Sequence, residues 1–424
     1  MIDIKAIRED PERYRRAARA KRIEADIDRL LELDDHLRDA AKVLQDIATE
    51  KNRLGKEIPR LQGEARQVLL DKLAELKSVE SRLNDTVKEL QPQFDALMLQ
   101  VPQPPADDVP DGKDDTENVE LRRWGTIRTF DFEPKDHVQL GAELGLIDVE
   151  RGVKLAGTRN YFLTGDGALL HWAVLRFAFD FMVGRGYRPM TVPLLMRDEA
   201  MQGTGYYPGA EEQTYRMERD GLNLAGTAEV PLTAYRSGEI LSEEDLPIKM
   251  VALSTCFRRE AGAAGKDTYG LYRIHQFEKV EQVVIGENDD GQSIAYHDEI
   301  LSNAEAVVQA LELPYRVVNV CTGDLGRGQV KKFDIETWMP SRGSYGETHS
   351  ASRFYEFQAR RMNLRYKRAH DRKNVFCHTL NNTVIASPRV LIPILELYQN
   401  ADGSVTIPTV LRPYMGGRER IGPR

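Results

Sequence analysis

Between residues 30 and 101 the apolar positions recur at alternating spacings of three and four. The first series is Leu30, Leu33, Leu37, Ala40, Leu44, Ile47, Lys51 and Leu54, with Lys51 its one polar member. The pattern breaks around Pro59 and Gly63. It resumes as Leu69, Leu73, Leu76, Glu80, Leu83, Val87, Leu90, Phe94, Leu97 and Val101, with Glu80 polar. A narrow seam kept for several heptads on both sides of a Pro/Gly break predicts two long helices folded into an antiparallel coiled coil. A helix of about 30 residues runs roughly 45 Å. Such a hairpin buries only its own seam, so it is expected to be an arm.

Residues 102–118 are rich in Pro, Asp and Gly and read as a linker. The expected organisation is therefore 1–101 as an N-terminal domain bearing the arm, 102–118 as linker, and 119–424 as a second domain. Beyond the linker the texture changes. Gly167–Gly184 reads as a buried helix, Tyr187–Leu195 as a proline-interrupted strand at an edge or interface, and Asp289–Leu311 as a helix. Met250–Phe257 and Tyr272–Ile285 read as an antiparallel pair around the loop Arg258–Gly270, and Tyr315–Cys321 and Val330–Met339 as further strands. Ser352–Arg360 reads as another strand, and Thr379–Tyr398 as a strand or loop followed by a helix. Antiparallel strands with segregated helices make the fold class α+β.

Composition narrows the picture. The chain has 424 residues, 41% hydrophobic and 30% charged, enough for two or three domains and a large core. No apolar run is expected to reach the roughly 18 residues of a membrane span, and the charged N-terminus lacks a signal core, so a cytoplasmic protein with no membrane association is expected. Cys256, Cys321 and Cys377 include no CxxC pair, so neither a disulfide framework nor zinc is expected. The net charge of -8 gives no bulk reason for nucleic-acid binding, which must rest on local patches. Residues 1–22, with eight basic and four acidic side chains, form one such patch or a solvated helix face.

The familiar nucleotide cradles are missing. Gly262-Ala-Ala-Gly-Lys266 lacks the spacing and the Ser/Thr of a Walker loop, and no GxGxxG, HExxH or GxSxG occurs in the required context. What stands out is Phe257-Arg-Arg-Glu-Ala-Gly262 at a strand end, with Leu271-Tyr-Arg-Ile-His-Gln-Phe-Glu-Lys-Val-Glu281 on the returning strand. Arginine grips phosphate or carboxylate bidentately without a glycine loop, and Phe277 is placed to stack on a base. Read alone, Arg258-x-Glu260 is an ordinary surface ion pair. Glu347-Thr-His-Ser350, placed before a strand, offers a carboxylate and a hydroxyl as hard oxygen ligands for Mg²⁺ beside phosphates. Read alone, Glu347 is a solvated loop carboxylate and Thr383 a turn residue.

Together these motifs resemble the seryl-tRNA synthetases of the bacterial type, a class II aminoacyl-tRNA synthetase family, over essentially the whole chain. The resemblance rests on Gly226-Thr-Ala-Glu-Val230, Phe257–Gly262, His275-Gln-Phe-Glu-Lys-Val-Glu281, Phe357-Gln-Ala-Arg-Arg361, Thr379-Leu-Asn-Asn-Thr383 and Leu411-Arg-Pro-Tyr-Met415, in order behind a coiled-coil hairpin. It implies that serine and MgATP form seryl-adenylate and pyrophosphate, and that the seryl group then passes to the 3′ end of tRNA(Ser), with tRNA(Sec) a further acceptor left open. It implies a homodimer formed through the region Ala168–Leu195, and an arm that reads the shape of the long variable arm of serine tRNAs. Lys42, Lys51, Arg53, Lys56 and Arg60 are the expected basic stripe.

Carried over by position, the resemblance assigns catalysis to Arg258, Glu260 and Arg389. Arg258 is expected on the α-phosphate and the serine carboxylate, Glu260 on the adenine amino group, Phe277 on the ring and Arg389 on the γ-phosphate. Arg259, Thr348 and His349 join the ATP set, with Glu347 and Ser350 holding Mg²⁺. Thr227, Ala228, Glu229, Arg258, Glu281 and Thr383 form the serine set, and which of Glu229 and Glu281 takes the ammonium is left open. Two positions depart from the family: His349 replaces the usual Ser and Arg353 the usual Asn. Arg259 also replaces a commoner Ser and should point to the opposite strand face. A catalytically dead paralogue would have lost Arg258, Glu260 or Glu347, and a relative loading carrier proteins would have lost the arm. The chain retains all four features.

Overall fold

The structure, a computed structural model, describes residues 1–261 and 269–422. Gly262–Lys266, considered above as a Walker loop, and with it the last residue of the Phe257–Gly262 motif, lie outside the described residues. The chain divides into two compact units, one of residues 2–104 and one of residues 105–424 with Met1.

In the first unit the heptad series form the helices Ile27–Glu57 and Gly63–Gln100. The Asp26 side chain caps the first by accepting from the Arg29 N–H at 2.9 Å. Pro59, in the short 3₁₀ turn Ile58–Arg60, and Gly63, at φ +64°, then reverse the chain. Leu30, Leu33, Ala40, Ile47 and Leu54 are buried on the first helix. The two polar seam positions meet each other, with Lys51 Nζ 2.5 Å from a Glu80 carboxylate oxygen. Lys51 thus belongs to the seam and not to a solvated stripe, while Lys42, Lys56 and Arg60 are exposed. Glu50–Lys72 adds a further cross-link at 2.7 Å. The basic N-terminal run forms the helices Ile4–Glu9 and Pro11–Ala20. Its Arg15 pairs with Asp28, and Arg19 lies 2.5 Å from Glu12.

The second unit is built on an eight-stranded sheet. In chain order its strands are β1 (Val119–Trp124), β2 (Arg188–Met190), β3 (Ile248–Phe257), β4 (Gln276–Gly286), β5 (Tyr315–Asn319), β6 (Lys331–Met339), β7 (Ser344–Tyr355) and β8 (His378–Ser387). Across the sheet the order is β1-β5-β6-β7-β8-β4-β3-β2. Every neighbouring pair is antiparallel except β2–β3, where the proline-bearing β2 is a short parallel edge strand. Alternation along β4 explains the layering. Val280 and Val284 pack into the main core with the helices Asp166–Gly184, Asp290–Ala310 and Leu391–Tyr398, while Phe277, Lys279 and Glu281 face the other way, into a cleft. The fold is α+β, with the hairpin and the helix-flanked, mostly antiparallel sheet as its parts.

Four expectations change. Residues 106–118 pack against the second unit instead of hanging as a linker: the Ala106 N–H donates to the Val330 carbonyl, the Asn319 amide donates to the Asp108 carbonyl, and Lys331 pairs with Asp108. Glu347–Ser350 lies inside β7 and not before a strand. That strand ends at Tyr355, whose φ of +49° breaks the extended run, so residues 357–361 form a helix in place of the expected strand to Arg360. Finally, Asp166–Gly184 is a helix long and apolar enough, by length and composition, to cross a membrane. Its apolarity serves the core, where Leu170, Val174, Leu175, Ala178 and Met182 are buried.

Candidate active site

The cleft lies on one face of the sheet and encloses about 200 Å³. Strand alternation delivers most of its lining. From β4 come Phe277, Lys279 and Glu281, at i, i+2 and i+4. From β8 come Asn381, Thr383 and Ala386, and from β7 Glu347, Ser350 and Ser352. The steps of three, 383 to 386 and 347 to 350, would put side chains on opposite faces of a regular strand. Both cross an irregularity. In the β6–β7 pairing Ile335 faces His349 and Glu336 faces Glu347, which leaves Thr348 as the extra residue. In the β4–β8 pairing Val280 faces Ile385 and Glu281 faces Thr383. The first bulge returns Glu347 and Ser350 to one face, and the second does the same for Thr383 and Ala386.

One end of the cleft is small and polar. Glu281, fully buried, accepts from Asn381 Nδ2 at 3.0 Å, from Thr383 Oγ1 at 3.2 Å and from the Lys279 ammonium. Glu229 opens the helix Glu229–Ala234 and accepts from Gln358 Nε2 at 2.8 Å. Burial, and then the negative charge of Glu281, push its carboxyl up to about 7. Thr227 Oγ1 accepts the Glu229 backbone N–H at 3.2 Å. Tyr206 also lines the cleft.

The other end is cationic and aromatic. The Arg258 guanidinium sits 5.3 Å from the Phe277 ring centre, its Nε donating to the Gly226 carbonyl at 3.3 Å. Glu260 takes a left-handed backbone, φ +52°, and its carboxylate lies 3.0 Å from Arg273. A non-glycine residue held there stores strain of the kind found at functional sites. Arg389 donates through Nε to the Tyr272 carbonyl at 3.0 Å and through Nη1 to the Glu347 carbonyl at 2.9 Å. Partial desolvation at the cleft wall raises the carboxyl of Glu347, whose side chain stays about half exposed, but Arg389, Lys332, Arg258 and Arg273 outweigh it and hold the group below its usual range. Lys332 is itself held 3.3 Å from Asp334 and 3.6 Å from Asp324. Among the described residues no cluster of three His, Cys, Asp or Glu side chains forms a metal cage.

Comparison with known proteins adds the family. A model of the seryl-tRNA synthetase N-terminal domain matches residues 1–105, and one of the tRNA synthetase class II core domain (G, H, P, S and T) matches residues 214–398. The serine–tRNA ligase of Deinococcus radiodurans is 46% identical over 422 residues, covering 100% of this chain and 99% of that protein. The seryl-tRNA synthetase of Pyrococcus horikoshii, solved in complex with ATP, superposes with a TM-score of 0.94 at 38% identity over the full length of both chains. The cytoplasmic serine–tRNA ligase of Naegleria fowleri, in complex with AMP, gives 0.88 at 33% identity, covering 100% of this chain and 99% of that one. The chain belongs to the seryl-tRNA synthetase family. It is an aminoacyl-tRNA ligase of class II.

Of the residues expected from the family's motifs, Thr227, Glu229, Arg258, Glu260, Phe277, Glu281, Glu347, Thr348, His349, Ser350, Thr383 and Arg389 all line this one cleft. Two do not. Ala228 is buried in a hydrophobic cluster with Leu232 and Val283, and Arg259 is exposed, just past the end of β3. Thr348 reaches the cleft wall but spends its hydroxyl on Thr337 Oγ1 at 2.8 Å and the Ile335 carbonyl at 3.2 Å. His349 is buried with Nδ1 2.8 Å from Thr348 Oγ1, and burial pushes its pKa down to about 3, so it is neutral. Arg353 is buried outside the cleft lining, 5.0 Å from the Tyr355 ring centre. The sequence alone does not point to Tyr206, Lys332 and Gln329 in the lining or to Arg273 and Gln358 in the contacts behind it, and it gives Lys279 and Asn381 no role although both lie in its motifs. The period-two pattern through Phe277 and Glu281 already pointed to Lys279, and Thr383 pointed to Asn381 in the same way.

Proposed function

We propose that the polar end of the cleft binds serine and the cationic, aromatic end binds ATP, so that one cleft forms seryl-adenylate and then loads tRNA(Ser). The observation that carries this is the juxtaposition of two unlike subsites in one cleft, with the Arg258 charge acting on both Glu229 and Glu347. In this reading a serine carboxylate oxygen attacks the α-phosphorus, the bond to the bridging oxygen breaks, and pyrophosphate leaves. Arg258 contacts the α-phosphate and stabilises the oxygens that gain charge. Phe277 stacks on the adenine, Glu260 accepts from its amino group, and Arg389 meets the γ-phosphate.

The charges divide the two carboxylates. Glu281 is already neutralised by Lys279 and joined to Thr383, which suits a neutral hydroxyl. Glu229 faces no cation of its own at hydrogen-bond distance among the described residues and is pushed up by burial, which suits a ligand that brings a positive charge. The reading therefore assigns the serine ammonium to Glu229 and Thr227, and the serine hydroxyl to Glu281 and Thr383. Glu347, held anionic by its cationic neighbours, and Ser350, turned to the same face by the bulge, are fitting donors for a Mg²⁺ ion that is otherwise ligated by phosphate and water. That ion, when bound with ATP, neutralises phosphate charge.

Beyond the cleft, the exposed Leu169, Trp172 and Val183 of the Asp166–Gly184 helix support a homodimer that covers them. The exposed Lys42, Lys56 and Arg60 support tRNA binding by the helical hairpin through phosphate contacts, which predicts affinity falling steeply with salt. Three buried free cysteines fit a reducing, cytoplasmic setting. ATP–pyrophosphate exchange measured with each of the twenty amino acids tests the reading. Serine alone should support strong exchange, and comparable exchange with another amino acid would overturn it.

A further inference from the structure

His137 lies outside the cleft lining, yet both of its ring nitrogens have polar partners. It opens the helix His137–Glu143, is 5% exposed, and faces Glu396, which is fully buried on the helix Leu391–Tyr398. The Glu396 carboxylate accepts four hydrogen bonds. They come from His137 Nδ1 at 2.7 Å, the His137 backbone N–H at 3.1 Å, Ser341 Oγ at 2.7 Å and the Ser341 backbone N–H at 2.9 Å. On its other side His137 Nε2 lies 3.2 Å from the Leu271 backbone nitrogen, and a backbone N–H only donates. Nε2 must therefore be the bare acceptor and Nδ1 the protonated donor, which fixes a single tautomer. Gly270 makes the approach possible. Its φ is +74°, and a Cβ there would sit 2.1 Å from Nε2.

Leu271 and Tyr272 are cleft residues at the return of the loop from β3 to β4. Tyr272 is also the partner of Arg389, through its carbonyl at 3.0 Å and its ring, 4.4 Å from the guanidinium carbon. Arg389 and Glu396 lie seven residues apart, one just before the Leu391–Tyr398 helix and one within it. The two segments are thus tied twice, Glu396 through His137 to Leu271, and Arg389 directly to Tyr272.

We propose that His137 is a positioning residue for ATP. By holding the Leu271 N–H against a helix that Arg389 precedes, it fixes the Tyr272 carbonyl that aims the Arg389 guanidinium. The inference rests on the placement of the ATP phosphates at Arg389. It makes no claim on serine, whose subsite is built from β4, β8 and the Glu229–Ala234 helix.

Pyrophosphate exchange on the full-length protein, with KM measured separately for ATP and serine, tests it. His137→Leu, which removes both ring nitrogens, should raise KM for ATP about tenfold, the scale of one lost buried hydrogen bond, and leave KM for serine within twofold. His137→Gln, which keeps an acceptor for Leu271 and a donor for Glu396, should recover most of that loss. Equal rises in both KM values, no rise, or a glutamine variant as poor as the leucine one would overturn the inference. If the leucine variant does not fold, Gly270→Ala crowds the same contact and decides by the same split. Arg389→Ala separates the two levels of the argument. An unchanged KM for ATP there overturns the phosphate placement itself, whereas a raised one beside a normal His137→Leu overturns only the role of His137.

Discussion

The helical hairpin and the cleft use polar residues in opposite ways. Along the hairpin the seam is apolar, and its two polar members, Lys51 and Glu80, neutralise each other at 2.5 Å with about a quarter of each side chain exposed. In the cleft the pairing is incomplete: Lys279 meets Glu281 and Asp334 meets Lys332, but like charges are crowded as well. Glu229 and Glu281 share one end, and Arg258, Arg389 and Lys332 share the other. A region whose task is to hold a shape pairs its charges. A region whose task is to receive charged substrates keeps part of its charge uncompensated and draws on the rest of the fold to sustain it. The hairpin should therefore tolerate substitution and report through RNA, while the cleft should respond to single atoms.

The strongest test of that contrast is Glu281→Ala, which strips three donors of their acceptor. It should lower kcat/KM for serine in exchange by about 10³ or more while KM for ATP stays near normal. Unchanged serine activation would remove Glu281 from the site. Next comes Arg258→Lys. An ammonium does not reproduce the planar fork, so adenylate formation should fall about 10²-fold, and near-normal exchange would contradict the role given to Arg258. Deleting residues 28–100 should cut tRNA charging at least tenfold with little change in exchange, since every proposed serine and ATP contact lies beyond residue 226. Parallel loss of both activities would make the hairpin a stabiliser of the fold.

A fourth test uses pH. A carboxyl raised to about 7 in the fold, as Glu229 is, holds its proton more tightly than in the unfolded chain. Its contribution to the stability of the free protein is then fully present below the ordinary carboxylate range and lost as pH rises toward and through 7. Serine, whose ammonium requires the anion, should bind more tightly as pH rises through about 7, by up to several-fold, and Glu229→Gln should flatten that profile. The smallest effect belongs to the hairpin seam. Replacing both Lys51 and Glu80 by Leu should leave thermal stability unchanged or raise it by about 1 kcal/mol, whereas either single change should cost a similar amount.

The same contrast governs how much was legible in the sequence. The hairpin was readable almost residue by residue, because a heptad is a local rule and even its exceptions fell on the seam. The cleft was readable as motifs but not as geometry. Lys279 and Asn381 lie inside the motifs without an assigned role, although strand alternation puts them beside Glu281 and Thr383. The resemblance groups Arg259 with ATP, yet it follows Arg258 directly and is exposed, outside the cleft lining. Glu347 reads as lying before a strand, since nothing in the run of residues 344–355 announces a bulge, and the helix Phe357–Arg361 follows from a backbone turn at Tyr355 that its side chain does not favour. His137, Glu396 and Leu271 are far apart in the chain, and only the tertiary fold makes them neighbours.

The bulge at Thr348 also has an evolutionary side. Because it sets which way Glu347 points relative to Ser350, the site depends on a count as well as on identities. Loss of one residue from this stretch, with every functional side chain retained, would restore regular alternation and turn the carboxylate into the opposite layer. Insertions and deletions there are a different hazard from substitutions: they change the phase of the strand, and no choice of amino acid at position 347 compensates for the wrong phase. Variation in this part of the family should therefore proceed by exchange of residues at constant length.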